Sequence, residues 1–339
     1  MGEKMQIGFA LNRGNSGPQL FLQRLRRSME IHGLAKTSLF CNPFNSVNLY
    51  ANRKHRLPWA KPYFFRADGV CFDNQLSAEE RAFRNKELVL GANGALGVIF
   101  QSRFARQMYK EILDVNPKNS VIVPNGTDLT LFAPGTPEEI RAQRARWNIP
   151  EESFVCLTSA AWRAHKRLPS VIRVFEQVQR ALKQECYLVV IGEQRDTSLS
   201  SNSHILSLGR MQNAEMHRCL KAADVYLFFS WLDGCPNSVI EAMASGLPVV
   251  CTDQGGTREL VESANGGIVA EGADEPFPFQ LTDLYHPPVP DEKLLTESVL
   301  KVHDDLAAYK KNIRREVLDI DLAAEKYVSF IKRIYYEKH

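Results

Sequence analysis

Short apolar runs alternate along the chain with segments whose apolar residues recur at helical spacing. Residues 6–11 predict a first strand, and residues 18–32 carry Leu20, Leu22, Leu25 and Met29 at helical spacing. The other strands predicted in this half are 63–65, 97–100 and 120–123, and the other helices are 78–90 and 103–113. Alternation of this kind predicts a parallel sheet flanked by helices.

A second series of the same kind follows two turn-rich stretches at 124–128 and 134–137 and a charged helix at 138–147. Its predicted strands are 154–158, 187–191, 205–208, 225–229 and 248–251, and its helices are 169–181, 214–222, 238–244 and 257–261. The tail from Asp291 predicts helix, with a break near 319–321. We therefore expect two doubly wound α/β domains, joined near 135–152, with a ligand cleft between them.

Composition narrows the function classes. The 339 residues are 44% hydrophobic and 24% charged, which is typical of a globular protein. The net charge of +3 is too small to indicate a nucleic-acid binder. The apolar stretch at the N-terminus is too short for a secretory signal, so we expect a cytoplasmic protein. The seven cysteines form no CxxC pair or zinc-spaced cluster, and we expect reduced thiols and no metal site.

The most informative stretch lies between Asp233 and Glu241, where a turn opens a helix. The N–H groups of Asn237, Ser238 and Val239 would point out of the helix end, which attracts anions. Glu241, one turn further, can accept two hydrogen bonds from a ribose diol. Together these features predict a nucleotide-diphosphate site. The alternative, in which Asp233 only caps the helix and Glu241 is solvated, stays open.

Basic residues follow the strand predicted at 154–158. Arg163 and Lys166 lie in the loop that leads into the next helix, with His165 and Arg167 beside them. Cations oppose the dipole at a helix N-terminus, so a bound anion such as a diphosphate explains them better than a solvated surface does. For His165, a surface position and a ligand contact are equally good interpretations.

Two glycine-containing turns give weaker signals. Gly209 precedes Arg210 and Met211, and its lack of a side chain would let a flat base approach the backbone. Gly14 and Gly17 lie in the first strand-to-helix loop and could bring N–H groups against a phosphate or sugar. Each stretch is also consistent with an ordinary turn.

Taken together, these motifs resemble those of retaining glycosyltransferases of family 4. Asp233 and Glu241, followed by Ala-Met-Ala-Ser-Gly-Leu-Pro-Val-Val, resemble the family's E-x7-E signature. Val-Pro-Asn-Gly-Thr-Asp at 123–128 resembles its linker, and Arg163 and Lys166 match its basic pair. Gly-Gly-Thr-Arg-Glu at 255–259 matches its G-G-x-x-E, and Leu-Gly-Arg-Met at 208–211 matches its base-contacting turn. The N-terminal half is matched only by its glycine loop, 66–69 and 100–102.

The resemblance implies the GT-B fold, in which two Rossmann-like doubly wound domains flank an interdomain cleft. Residues 1–145 would bind the acceptor, 146–318 the nucleotide-sugar, and 319–339 would form a helix crossing back to the N-domain. The implied reaction moves a sugar with retention from a nucleotide-diphosphate sugar to a glycan, lipid-linked or small-molecule acceptor. UDP is our first expectation and GDP the second, with no metal or other cofactor.

The resemblance also assigns roles. Arg163, Lys166 and the helix end at 237–239 would stabilise charge on the leaving phosphate. Asp233 would meet the sugar hydroxyls, where the family usually has Glu. Its side chain is shorter by about 1.5 Å, one C–C bond, and this difference bears on donor specificity. Asp68 is a better candidate than His55 for the N-domain residue near the sugar. The loop from Arg163 to Lys166 is short, so it either folds differently or uses Arg167 instead.

Other functions stay open at this point. A GT-B epimerase or phosphorylase and a non-catalytic nucleotide-sugar-binding protein are the alternatives. Arg24, Arg26 and Arg27, with the basic run 53–56 before Trp59, leave open a peripheral association with the inner membrane face. A solvated basic surface explains the same residues.

Overall fold

The computed structural model describes residues 5–11, 17–52, 62–193 and 201–338. The chain divides into two compact units. The first contains Met1–Asp128, Pro278–Asp283 and Asp319–His339, and the second contains Leu129–Phe277 and Leu284–Leu318. Residues 129–145 therefore lie in the second unit, whereas the sequence-based boundary placed them in the N-terminal domain. Phe132 is fully buried in the core of this second unit, which explains the difference.

The first unit is built on a parallel sheet of six strands in the order β2-β1-β3-β4-β5-β6. These strands are β1 Gln6–Phe9, β2 Lys36–Ser38, β3 Val47–Ala51, β4 Tyr63–Ala67, β5 Val98–Phe100 and β6 Ser120–Ile122. Its helices are α1 Gly17–Ile31, α2 Ala78–Asn93, α3 Arg103–Leu113 and, at the end of the chain, α11 Ile320–Lys338. Apolar clusters cover both faces of this sheet.

The amphipathic pattern of α1 explains one of these faces. Its buried Leu22, Leu25 and Met29 turn towards the sheet and towards α11. The ring of Phe21 lies 6.0 Å from that of Tyr327 on α11. The final helix of the chain therefore completes the core of the first unit.

The second unit repeats the architecture with the order β12-β11-β10-β7-β8-β9. Its strands are β7 Phe154–Ser159, β8 Cys186–Ile191, β9 Ile205–Ser207, β10 Val225–Phe228, β11 Val249–Thr252 and β12 Gly267–Ala270. Its helices are α4 Pro137–Arg146, α5 Leu168–Ala181, α6 Asn213–Ala222, α7 Asn237–Ala244, α8 Gly256–Ala264, α9 Glu292–Asp304 and α10 Leu306–Asn312. Short 3₁₀ turns lie at Ala164–Lys166 and Arg315–Leu318.

Each strand order reverses at one point. In the second sheet β7 and β10 are neighbours although two strands separate them in sequence, and in the first sheet β1 lies between β2 and β3. Connections leave such a point in opposite directions, and the crevice beyond the strands' carboxyl ends accepts ligands. The residues after β7 and β10 therefore occupy the expected ligand-binding end of the second sheet.

The predicted α/β class is confirmed, and most predicted elements are present. Three short strands were not predicted: β2, β3 and β12. Both β2 and β12 are edge strands of three and four residues, too short for a periodic signal. The tail is helical as predicted, and its break before Ile320 is present, with a further interruption between α9 and α10.

Candidate functional site

Two of the predicted catalytic side chains form an ion pair at the carboxyl ends of β7 and β10. The Lys166 Nζ lies 2.5 Å from the Asp233 Oδ2, and both side chains are part-buried. The ammonium also lies 5.3 Å from the centre of the Phe228 ring, a cation–π distance. The fold thus joins residues that are 67 positions apart, at the place where the topology predicts a ligand.

The backbone around Asp233 is fixed from two sides. Its Oδ1 accepts a hydrogen bond from the Cys235 N–H at 3.1 Å, and its carbonyl accepts one from the Gly256 N–H at 2.8 Å. Gly255 has φ +78°, and a Cβ there would lie 2.8 Å from the Asp233 carbonyl oxygen. Gly255 is therefore required so that the start of α8 can approach this turn.

The loop that carries Arg163 and Lys166 folds as one tight turn. The Lys166 N–H donates to the Arg163 carbonyl at 2.8 Å, closing the 3₁₀ turn. The Arg163 side chain is exposed and forms no ion pair within the part of the chain that the structure describes. The short spacing thus leaves one cation tied to Asp233 and the other directed to solvent.

Arg167 has a structural position, so the suggestion that it could replace a member of the basic pair is wrong. It is 3% exposed, and its guanidinium binds the Asp274 carboxylate through two contacts of 2.8 Å. Its Nη1 also donates to the Phe229 carbonyl at 3.4 Å. These contacts use the fork of the guanidinium inside the fold.

His165 is neutral at physiological pH. Burial lowers the pKa of its ring to about 3, and the neighbouring Lys166 charge acts in the same direction. Its carbonyl accepts a hydrogen bond from the Trp231 N–H at 2.9 Å. The loop after β7 is therefore joined to the segment that precedes Asp233.

Helix α7 begins at Asn237, directly after Pro236 and one residue before the predicted start at 238. The prediction that the Val239 N–H is free is wrong. This N–H donates to the Pro236 carbonyl at 3.2 Å, because the first turn is tight. Ser238 lies half-buried beside it in the same turn. Glu241 is 9% exposed, so the interpretation as a solvated helix residue is also wrong.

The predicted base-contacting turn follows β9. Gly209 has φ +62° with open space where a Cβ would lie, and its carbonyl accepts from the Gly192 N–H at 2.7 Å. Arg210 is exposed, and the sulfur of the half-buried Met211 lies 3.4 Å from the Cys219 sulfur. A planar group can reach the backbone here without a steric barrier.

In the first unit, polar side chains from the ends of four successive strands, β3 to β6, form a cluster around Arg66. The Arg66 Nη1 lies 2.5 Å from the Asp68 Oδ1, and its Nη2 donates to the Asn125 Oδ1 at 2.7 Å and the Gln101 Oε1 at 3.3 Å. Asn52 donates to the other Asp68 oxygen at 2.7 Å. We call Asn52, Arg66, Asp68, Gln101 and Asn125 the Arg66 cluster.

The Arg66 cluster is enclosed. The Arg66 side chain is 1% exposed and the Asp68 side chain 9%. The guanidinium carbon also lies 4.5 Å from the centre of the Phe21 ring. Burial raises the pKa of Asp68, and the Arg66 charge opposes this rise. Asn52, Gln101 and Asn125 were not predicted as site residues, although 100–102 and 123–128 were noted as family-like stretches.

The remaining predicted residues contribute less. Gly14 and His55 lie outside the described residues, and Gly17 is the exposed first residue of α1. Arg24 donates to the Thr127 hydroxyl at 3.3 Å, and Arg26 pairs with Glu30 at 2.6 Å, so both cations have partners within the unit.

Two features are absent from the described ranges. None of the helices there is long and apolar enough to cross a bilayer. Across residues 5–11, 17–52, 62–193 and 201–338, no group of three His, Cys, Asp or Glu side chains could hold a metal ion.

Comparison with known proteins identifies relatives. Residues 139–284 match the sequence model of the family "Glycosyl transferases group 1". A GDP-mannose-dependent monoacylated alpha-(1-6)-phosphatidylinositol monomannoside mannosyltransferase of Corynebacterium glutamicum is 27% identical over 188 residues, 51% of this chain and 48% of that protein. A UDP-Gal:alpha-D-GlcNAc-diphosphoundecaprenol alpha-1,3-galactosyltransferase of Escherichia coli is 24% identical over 169 residues, 47% and 43% of the two chains. The chain thus matches about half the length of these relatives.

A solved structure extends the likeness over the whole chain. HepE of Anabaena in complex with UDP superposes with a TM-score of 0.70 at 16% identity, covering 97% of this chain and 100% of that one. At this identity the likeness establishes the fold.

Proposed function

We propose that the chain is a retaining, metal-independent hexosyltransferase, because it has the GT-B fold and its residues 139–284 match the model of the glycosyl transferases group 1 family. It moves a sugar from a nucleotide-diphosphate sugar to a glycan, lipid-linked or small-molecule acceptor. The observation that carries the proposal is the Lys166–Asp233 pair at the carboxyl ends of β7 and β10.

The donor diphosphate binds at this end of the second sheet. Lys166 has three N–H donors, so it can keep Asp233 and still contact a phosphate oxygen. The exposed Arg163 supplies a second cation, and the first turn of α7 at Asn237 and Ser238 supplies a positive helix end. Glu241 accepts hydrogen bonds from the ribose, and the turn at Arg210 and Met211 contacts the base.

The reaction breaks the bond between the anomeric carbon and the diphosphate oxygen. Negative charge develops on the leaving phosphate, where Lys166 and Arg163 stabilise it more strongly than in the ground state. The acceptor hydroxyl attacks on the face from which the phosphate departs, and its proton passes to a phosphate oxygen. Asp233 holds the sugar hydroxyls. Asp68 acts on the acceptor side of the reaction, and Arg66 and Asn52 hold its carboxylate in a fixed orientation.

For the nucleotide we propose UDP first and GDP second. HepE is described with UDP, the Escherichia coli relative is named for UDP-Gal, and the Corynebacterium relative is named for GDP-mannose. Both of these curated relatives are named for lipid-linked acceptors, which makes this class our first choice. A cytoplasmic location, peripheral at the inner membrane face, is consistent with such an acceptor.

The test measures release of UDP or GDP from UDP-glucose, UDP-galactose and GDP-mannose in EDTA, with and without prenyl-diphosphate sugars and phosphatidylinositol as acceptors. The wild type should release one nucleotide in an acceptor-dependent way and give a product of retained anomeric configuration by NMR. Glu241→Gln should lose this activity, and Glu297→Gln, exposed on α9, should keep it. Equal rates in both variants would contradict the role of Glu241 in the donor site. If no nucleotide is released from any donor, with or without an acceptor, the proposed function is wrong.

A further inference from the structure

Strand β10 contains a buried tyrosine hydroxyl that the mechanism above does not use. Tyr226 is fully buried, and its hydroxyl donates to the Ser159 carbonyl at 3.0 Å. The Ser159 Oγ lies 2.8 Å away, and the Ser159 N–H donates to the tyrosine oxygen at 3.2 Å. All three contacts are to the last residue of β7, from which the loop carrying Arg163 and Lys166 begins.

The same hydroxyl lies near the other half of the donor end. The Ser238 side chain, in the first turn of α7, and the charge of Glu241 are both close enough to affect its pKa. The tyrosine oxygen therefore bonds to the end of β7 and lies beside the start of α7. Burial raises the pKa of Tyr226 to about 12, so the hydroxyl keeps its proton at every pH at which the protein is assayed.

Diphosphate binding requires both elements at a fixed separation. The cations come from the loop after β7, whereas the helix end and Glu241 come from α7. Charge-assisted hydrogen bonds to phosphate act only within a narrow range of distances, so a small displacement between the two elements weakens several of them together. An apolar side chain at residue 226 would fill the core without fixing this separation.

We propose that Tyr226 is a positioning residue of the donor site, which holds the start of the loop of Arg163 and Lys166 in place beside the first turn of α7 through its hydrogen bonds to Ser159. This inference rests on the proposed function, because it concerns the same nucleotide-diphosphate site. Tyr226 touches no reacting atom; it acts through the residues that do.

The test compares Tyr226→Phe with Tyr63→Phe. Each change removes one buried hydroxyl and keeps the ring; the Tyr63 hydroxyl donates to the Gly91 carbonyl at 3.0 Å in the first unit. By calorimetric titration, Tyr226→Phe should weaken binding of the diphosphate that the wild type prefers by about five- to tenfold, the value of roughly one hydrogen bond. Its donor KM should rise with a smaller change in kcat. Tyr63→Phe should lose similar thermal stability and bind the nucleotide like the wild type.

Ser159→Ala tests the contact between Tyr226 and Ser159 from its other partner. It should weaken binding in the same direction, and it decides the question if Tyr226→Phe does not fold. If both variants bind as tightly as the wild type while their melting temperatures fall like that of Tyr63→Phe, Tyr226 is only a core residue and the inference is wrong. A wild type that binds no nucleoside diphosphate would remove the proposed function itself, and the inference with it.

Discussion

The two units place charged side chains at the carboxyl ends of their sheets in opposite ways. In the second unit Lys166 and Asp233 keep 14% and 23% of their side chains exposed, and Arg163 is open to solvent. In the first unit the Arg66 side chain is 1% exposed and the Asp68 side chain 9%. The second unit leaves its charged side chains partly accessible, whereas the first has enclosed its ion pair within the fold.

This difference has an energetic meaning. A part-exposed ion pair contributes little to stability, so its charges can be used for binding at low cost. An enclosed pair must offset a desolvation penalty of several kcal/mol per ion, and removing one partner leaves the other unpaired. We therefore expect the Arg66 cluster to affect folding most and the Lys166–Asp233 pair to affect binding most.

The largest effect should come from Arg66→Met, because it leaves the Asp68 carboxylate buried without its cation. We expect a loss of about 3–5 kcal/mol in the free energy of unfolding, measured by urea denaturation. The control is Arg173→Met, whose 47%-exposed guanidinium pairs with Glu292 and should cost less than about 1 kcal/mol. Similar losses in the two variants would show that enclosure of the first pair has no energetic consequence.

Lys166→Ala should have the next largest effect, on catalysis. We expect kcat/KM for the donor to fall about 100-fold, since a charge that stabilises the leaving phosphate is gone, while the protein stays folded. Lys221→Ala is the matched control, because Lys221 pairs with Glu139 at 2.8 Å elsewhere in the second unit. Unchanged donor turnover in Lys166→Ala would place the phosphate site elsewhere.

Asp68→Asn distinguishes the proposed role of the first unit from that of the second. The change also leaves the buried Arg66 cation without its anion, so rates are compared per folded molecule. Transfer should then fall about tenfold, the value of one charge-assisted hydrogen bond, and the dissociation constant of the nucleotide should stay at the wild-type value. Asp321→Asn, which alters a His32 and Ser28 partner in the first unit, is the control and should leave transfer unchanged. A weaker nucleotide affinity in Asp68→Asn would contradict a role confined to the acceptor side.

The smallest effect concerns His165, whose folded pKa of about 3 lies below the ordinary value of 6.5. Between these two pH values the unfolded chain binds a proton that the folded chain does not, so stability is full above pH 6.5 and decreases as the pH falls. From pH 6 to pH 5 the wild type should lose about 1 kcal/mol more than His165→Gln in denaturant titrations. Parallel pH profiles would show that the ring is protonated in the folded state.

The sequence predicted correctly the features that depend on residues close together in the chain, such as motifs, helices and caps. The predicted family resemblance is confirmed by the match of residues 139–284, and the GT-B fold by the likeness to HepE. Helix α3 has the predicted bounds Arg103–Leu113, and the side chain of its N-cap Ser102 accepts the Ala105 N–H at 3.0 Å. Local capping and periodicity suffice for such elements.

Features that depend on distant partners could not be predicted in this way. Arg167 looks like its basic neighbours in sequence, but Asp274, 107 residues later, determines its buried position. In the Arg66 cluster, Arg66 bonds to Asn125, which is 59 residues away in sequence, and no local sequence pattern predicts such a contact. Tyr226 is likewise part of an apolar strand, and the sequence does not show which partner its hydroxyl contacts.

The central claim is that the second unit binds a nucleoside diphosphate without metal through Lys166. The most direct test is calorimetric titration of the wild type and Lys166→Ala with UDP and GDP in EDTA. The account predicts saturable 1:1 binding of one diphosphate by the wild type, UDP first, and a loss of at least about tenfold in affinity in Lys166→Ala. Absence of binding by the folded wild type, or equal affinities in the two proteins, would contradict it.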